Sequence, residues 1–201
     1  MQSIDSKVLN RIRGTGRGSV FSPGTFLDLG SRDAIYKVLS RLTQKGIIRR
    51  LGNGLYDYPK KHPVLGLLQP APDIVAKVLS GNHGARIQPT GAYAANLLGL
   101  STQVPAKIVY LTDGLSRLVC VGDMEIRLQH TTTRNMATAG RISGLVIQAL
   151  RHLGAKHVDD TIICILKRKL RTEDKKQLLK DIAFAPAWIS DYFRIIAQEL
   201  V

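Results

Sequence analysis

VFSPGTFLDLGSRDAIYKVLSRLTQKGIIRRLGNGLYDYP, residues 20–59, decides how the chain is read. Ser22 is placed to cap a helix, and Pro23 to occupy its first turn, where a missing N–H is tolerated. Phe26, Leu27 and Leu29 supply an apolar side. Gly30 is expected to stop this helix, because glycine accepts the left-handed conformation at a helix end. Ser31 caps a second helix. Ile35, Val38, Leu39 and Leu42 follow at helical spacing as one buried stripe, and Gly46 closes the element.

The opposite face of the second helix carries Arg32, Tyr36, Lys37, Ser40, Arg41 and Gln44. These side chains can reach phosphates and base edges. Two helices joined by a short glycine turn, the second with a basic outer face, read as a helix-turn-helix. Residues 47–51 and 55–59 then read as two strands around a Gly52, Asn53, Gly54 turn, the wing of a winged helix. Arg49, Arg50 and Asn53 are placed to meet the sugar–phosphate backbone, with Lys60 and Lys61 just beyond. A basic stripe is more often a solvated helix face; here the order of elements, the glycine turn and the basic strand together favour DNA.

Outward from this stretch, the charge is consistent with an anionic partner. The chain has 201 residues, a formal net charge of +14 and 44% apolar residues, enough for ordinary packed cores. Residues 1–62 hold 12 Lys+Arg against 4 Asp+Glu, a net +8, so the first third carries over half of the excess. Residues 3–13 form a first helix on Ile4, Val8, Leu9 and Ile12, broken by Gly14, Gly16 and Gly18. Arg11, Arg13 and Arg17 cluster there, but no P-loop ending follows. Residues 19–21 make a short strand that pairs with the wing. Pro59 and Pro63 bracket an exposed linker, which divides the chain into 1–62 and 63–201.

The second part reads as a mixed domain, and the fold class as α+β. Asp73 caps a short helix that buries Ile74, Val75, Val78 and Leu79. Residues 86–91 are extended and 91–98 are helical. Residues 107–112 and 115–121 pair as a hairpin through Asp113 and Gly114, and 124–130 add a third strand after Gly122 and Asp123. Residues 141–153 form a helix stopped by Gly154. Asp159 and Asp160 open a segment through Leu170 whose helix or strand state stays open, with helix favoured. Thr172 caps the next helix, and Pro186 starts the last one, with Trp188 in its core.

Chemistry-bearing constellations are sparse. His62, His83, His130, His152 and His157 stand in no ligand or catalytic spacing. Cys120 and Cys164, both in apolar surroundings, form neither a disulfide framework nor a CxxC. No nucleophile elbow or dinucleotide fingerprint occurs, so no enzyme, metal or cofactor is expected. No apolar run reaches a membrane span and the start is no signal peptide, so a cytoplasmic protein is expected. Lys167, Arg168, Lys169, Arg171, Lys175 and Lys176 form a second basic cluster, which Arg127 and Arg134 could join as a surface for nucleic acid or an acidic protein.

The 20–59 stretch, GARIQPTGAYAANLLGLSTQVPAKIVYLTDG at 84–114 and GLVIQALRHLG at 144–154 resemble the AbiEi-type antitoxins of type IV toxin–antitoxin systems. The resemblance spans nearly the whole chain, and its most distinctive part is GAYAANLLGLSTQVP. It implies an N-terminal winged helix and an AbiEi-like C-terminal domain. It also implies a transcriptional autorepressor that binds inverted repeats of its own operator on double-stranded DNA, with cooperative self-association there. The C-terminal domain would act in antitoxicity against a nucleotidyltransferase toxin, without a stable complex. By correspondence Arg32, Tyr36, Lys37, Ser40, Arg41, Arg49 and Arg50 face DNA. The rival readings are a module that binds a protein toxin, or one that binds RNA and shields the toxin's target; the low aromatic content weighs against single strands.

Overall fold

The computed structural model describes residues 3–81 and 84–198, so His83 lies outside the described residues. It is an α+β chain with eight α-helices among the described residues. Two compact units divide it. The first comprises residues 1–84 with 118–126, the second 85–117 with 127–201. The division expected at 62/63 falls inside the first unit.

In the first unit, helix α1 (Ile4–Thr15) is capped by the Ser3 hydroxyl, which accepts from the Ser6 N–H. Strand β1 (Val20–Phe21) leads to a turn of 3-10 helix, Pro23–Phe26, and then to α2 (Arg32–Gln44). The short helix expected from Ser22 to Leu29 is therefore only this turn, and the Ser22 hydroxyl makes no cap bond. Proline and glycine at 23 and 24 are poor helix interiors. The apolar residues also do not share a face: Phe26 is buried, whereas Leu27 is half exposed. Gly30 does not take the left-handed conformation. What it supplies is space, since a Cβ there would lie 3.1 Å from Cδ1 of Ile4.

Helix α2 follows the expected pattern closely. The Ser31 hydroxyl accepts from the Ala34 N–H, and Ile35, Val38, Leu39 and Leu42 are all buried. Burying such side chains contributes about 1.5–3 kcal/mol each. Gly46, at φ 67°, turns the chain out of the helix. Strands β2 (Arg49–Gly52) and β3 (Leu55–Asp57) then pair antiparallel, and β1 adds to the other edge of β3. The core joins Val8 and Ile12 of α1, Phe21, Phe26, the α2 stripe, Ile48 and Tyr56. The Phe21 ring meets Phe26 edge-on at 5.4 Å and stacks on Tyr56 at 6.4 Å.

A two-stranded ribbon follows, β4 (Lys61–His62) with β5 (Gly66–Leu67), and then α3 (Pro72–Ser80). Ala71, not Asp73, is the N-cap of α3, because Pro72 takes the first helical position. The helix buries Val75 and Ala76, while Ile74 is exposed.

In the chain after residue 84 come β6 (Ile87–Thr90), α4 (Gly91–Leu97), β7 (Lys107–Thr112), β8 (Arg117–Val121) and β9 (Met124–His130). Their sheet runs β6-β7-β9-β8, so the expected hairpin of β7 with β8 is not formed. β9 lies between them. The Asp113 carboxylate is engaged elsewhere: it accepts the Arg86 backbone N–H at 2.8 Å and the Arg86 Nε at 2.8 Å. The edge that a hairpin would have used instead bonds onward, with the Thr131 N–H donating to the Thr112 carbonyl at 2.8 Å.

Helices α5 (Ile142–Leu153), α6 (Asp160–Lys169), α7 (Thr172–Lys180) and α8 (Ala187–Ala197) complete the second unit. The open segment is a helix, and the Asp159 carboxylate caps it through the Ile162 N–H at 2.9 Å. Thr172 is the first residue of α7, not its cap; Arg171 holds that place, its N–H bonded to Asp174. Leu150, Leu166, Leu178, Ile189, Phe193 and Ile196 form the core, with Trp188 packed against it. Both cysteines are exposed rather than in apolar surroundings. No helix among the described residues is long and apolar enough to cross a membrane.

Candidate nucleic-acid interface

Helix α2 has a buried stripe, and its remaining surface divides into two flanks with different chemistry. On one flank, Arg41 Nη2 donates to Asp5 Oδ1 of α1 at 2.6 Å. Both partners are about half exposed, so water and salt weaken the pair. On the other flank, Tyr36, Lys37, Ser40 and Gln44 line a cleft of about 450 Å³ with Arg50 of β2 and Tyr56 of β3. Arg32 lies beside it, its guanidinium 5.7 Å from the centre of the Tyr36 ring. The first turn of α2 also carries an exposed acid, Asp33.

The two arginines of β2 diverge. Among the described residues, Arg50 reaches across the turn to neutral acceptors only, the Gly52 carbonyl at 3.3 Å and the Asn53 side-chain oxygen at 3.0 Å. Its charge thus stays uncompensated at the mouth of the cleft. Arg49 sits directly across the ladder from Asp57. Its Nε and Nη2 donate to the two Asp57 oxygens at 3.0 and 2.5 Å, and Nη2 also donates to the Leu68 carbonyl. Asp57 is 1% exposed. Hydrogen bonding to Asp57 raises the Arg49 pKa above its ordinary value, against the lowering effect of burial. Arg49 is therefore held inward, away from the cleft.

Lys60 and Lys61 are exposed at the start of the β4–β5 ribbon. Upstream, Arg17 crosses to the Pro59 carbonyl at 3.1 Å and lies 4.7 Å over the Tyr58 ring. The structure thus brings Arg32, Tyr36, Lys37, Ser40, Gln44, Arg50 and Asn53 together, and sets Arg41 and Arg49 to other partners. Sequence reading missed Asp5 and Asp57. The signal for Asp57 was its place opposite Arg49 once the turn is centred on Asn53, a cross-strand pair of opposite charge.

The second basic cluster is dispersed. Lys169 Nζ donates to the Leu97 carbonyl at 2.8 Å, Lys175 is buried, and Lys167 is half buried. Arg168, Arg171 and Lys176 are exposed, the first near the end of α6 and the others at and within α7.

No curated protein matches the chain. The crystal structure of RV2827C protein from Mycobacterium tuberculosis is similar in fold, with a TM-score of 0.50 at 13% identity, over 98% of this chain and 77% of that one. A family model matches residues 7–178, so the chain belongs to DUF6088, a family of unknown function.

Proposed function

We propose that residues 4–57 are a winged helix-turn-helix that binds double-stranded DNA, with α2 in the major groove and the β2–β3 turn as the wing. The observation that supports this most is the cleft between them, where Lys37 and Arg50 present charge beside Tyr36, Ser40 and Gln44. Lys37 is placed to read base edges, and Arg50, Lys60 and Lys61 to hold phosphates. The net +8 of residues 1–62 favours the same partner.

The test is binding of the full chain to its own upstream region across a salt series. With about three phosphates neutralised, by Arg50, Lys60 and Lys61, the log–log slope is expected at about −2.7. A slope near zero, or equal affinity for unrelated duplexes, would refute sequence-specific operator binding.

The wider reading, an autorepressor and antitoxin of a type IV toxin–antitoxin system, rests on the AbiEi resemblance. It is tested by co-expression with a nucleotidyltransferase-type toxin encoded next door. Rescue of growth without co-purification of the two proteins is the expected result, and no rescue removes the antitoxin role while leaving DNA binding in place.

A further inference from the structure

The second unit has a cleft of about 390 Å³, within the usual size of small-molecule sites. Arg134, Asn135, Gln148, Arg151 and Phe184 line it. Three other arginines of this unit have carboxylate partners: Arg86 with Asp113, Arg141 with Asp181 and Arg194 with Asp191. Among the described residues, the side chains of Arg134 and Arg151 have no ion pair or hydrogen bond. Two uncompensated guanidinium groups on one concavity repel each other, and an anion between them relieves that repulsion. The planar guanidinium fork matches the paired oxygens of carboxylate and phosphate, and two such groups together suit the doubly charged phosphate.

The other lining groups narrow the ligand. Phe184 is 52% exposed, a large ring left open at the edge of a charged cleft. Such a ring gives a base a face to stack on. Gln148 is 6% exposed, and its Oε1 takes the Thr90 hydroxyl at 2.8 Å, which leaves its amide NH2 as a donor. Asn135 donates its own NH2 to the Thr131 hydroxyl at 2.9 Å, which leaves its side-chain oxygen to accept. Together these groups offer two cations, an aromatic face, a donor and an acceptor.

We propose that this cleft binds a nucleoside monophosphate, with the phosphate on Arg134 and Arg151 and the base against Phe184. The site is independent of the α2 cleft. The test is titration of the full chain with AMP, GMP, CMP and UMP, followed by calorimetry and by amide NMR shifts, with inorganic phosphate and adenosine as the partial ligands. At least one nucleotide is expected to bind tenfold or more tighter than either partial ligand. The exposed arginines allow Arg134→Gln and Arg151→Gln without loss of the fold, and each is expected to weaken the nucleotide at least tenfold. Phe184→Ala is expected to remove the advantage over inorganic phosphate while phosphate itself still binds. Lys107→Gln, which removes an equal charge elsewhere in the unit, should leave the affinity unchanged. No binding at millimolar nucleotide, affinity no better than for inorganic phosphate, or binding as tight as the parent's by either arginine variant would each overturn the assignment.

Discussion

Arg49 and Arg50 are neighbours in β2 and have opposite roles. One donates both arms of its guanidinium to a carboxylate buried to 1% exposure; the other, among the described residues, has only neutral acceptors and lines the α2 cleft. Strand geometry accounts for the split, because successive side chains leave a strand on opposite faces. A basic doublet in a sequence therefore states how much charge is present and leaves open which half of it a ligand can reach. The same division runs along α2, where Lys37 lines the cleft and Arg41, one helical turn on, is drawn to Asp5 on α1.

The largest effect that would sharpen this contrast is on stability. Asp57→Ala leaves the Arg49 guanidinium without its carboxylate. Breaking a buried pair typically costs about 3–5 kcal/mol, and the lower end applies because Arg49 is a quarter exposed. Urea unfolding should show it, and a loss under about 1 kcal/mol would mean that the pair is not what holds β2 to β3. Second in size is Lys37→Ala, which under the proposed DNA-binding function is expected to remove about 1–3 kcal/mol of discrimination between the operator and a mutated site. Equal discrimination before and after would move the base-reading residue elsewhere on α2.

Arg50→Ala should weaken every duplex alike and flatten the salt slope by about 1, whereas Arg41→Ala should cost at most about 1 kcal/mol in stability and little in binding. If Arg41→Ala proved the more damaging to DNA binding, the two flanks of α2 would have to exchange roles. The smallest effect is a titration. Hydrogen bonds from Arg86 hold the Asp113 carboxyl below the usual carboxylate range, opposed in part by burial. A depressed folded value stabilises above the unfolded value and is lost as pH falls through the folded one, so this link should loosen only in acid. Arg49 has the opposite sign: its raised value means that the arginine's own titration takes no stability away below the ordinary arginine range. Carboxyl NMR of Arg86→Gln should show the Asp113 midpoint move up; an unchanged midpoint would remove the Arg86 side chain as the cause.

Legibility followed the kind of information involved. The α2 stripe, its Ser31 cap and its Gly46 exit were readable because periodicity and capping are local. The turn at Pro23–Phe26 was misread as a helix because three apolar residues in a row of four look like a face until the core takes Phe26 and leaves Leu27 out. The β7–β8 hairpin was misread because a strand, an Asp-Gly pair and a second strand satisfy every local rule for one. The rival, β9 inserted between them, depends on a strand not yet reached along the chain. The Arg134 and Arg151 cleft left no mark in the sequence that joined the two residues. They come from a turn and a helix, and Phe184 comes from a third segment far along the chain.

The amino-acid order alone determined the excess of cations, its concentration toward the N-terminus, and the amphipathic helices that bury Ile35, Val38, Leu39 and Leu42 on one side and Ile189, Phe193 and Ile196 on another. Those are sums and periodicities, fixed by residues within a few turns of each other. The tertiary structure decided which cations remain without a counter-charge. A carboxylate's partner is set by distance in space, so Asp5 and Asp57 could claim Arg41 and Arg49 only after α1 had packed on α2 and β2 had paired with β3.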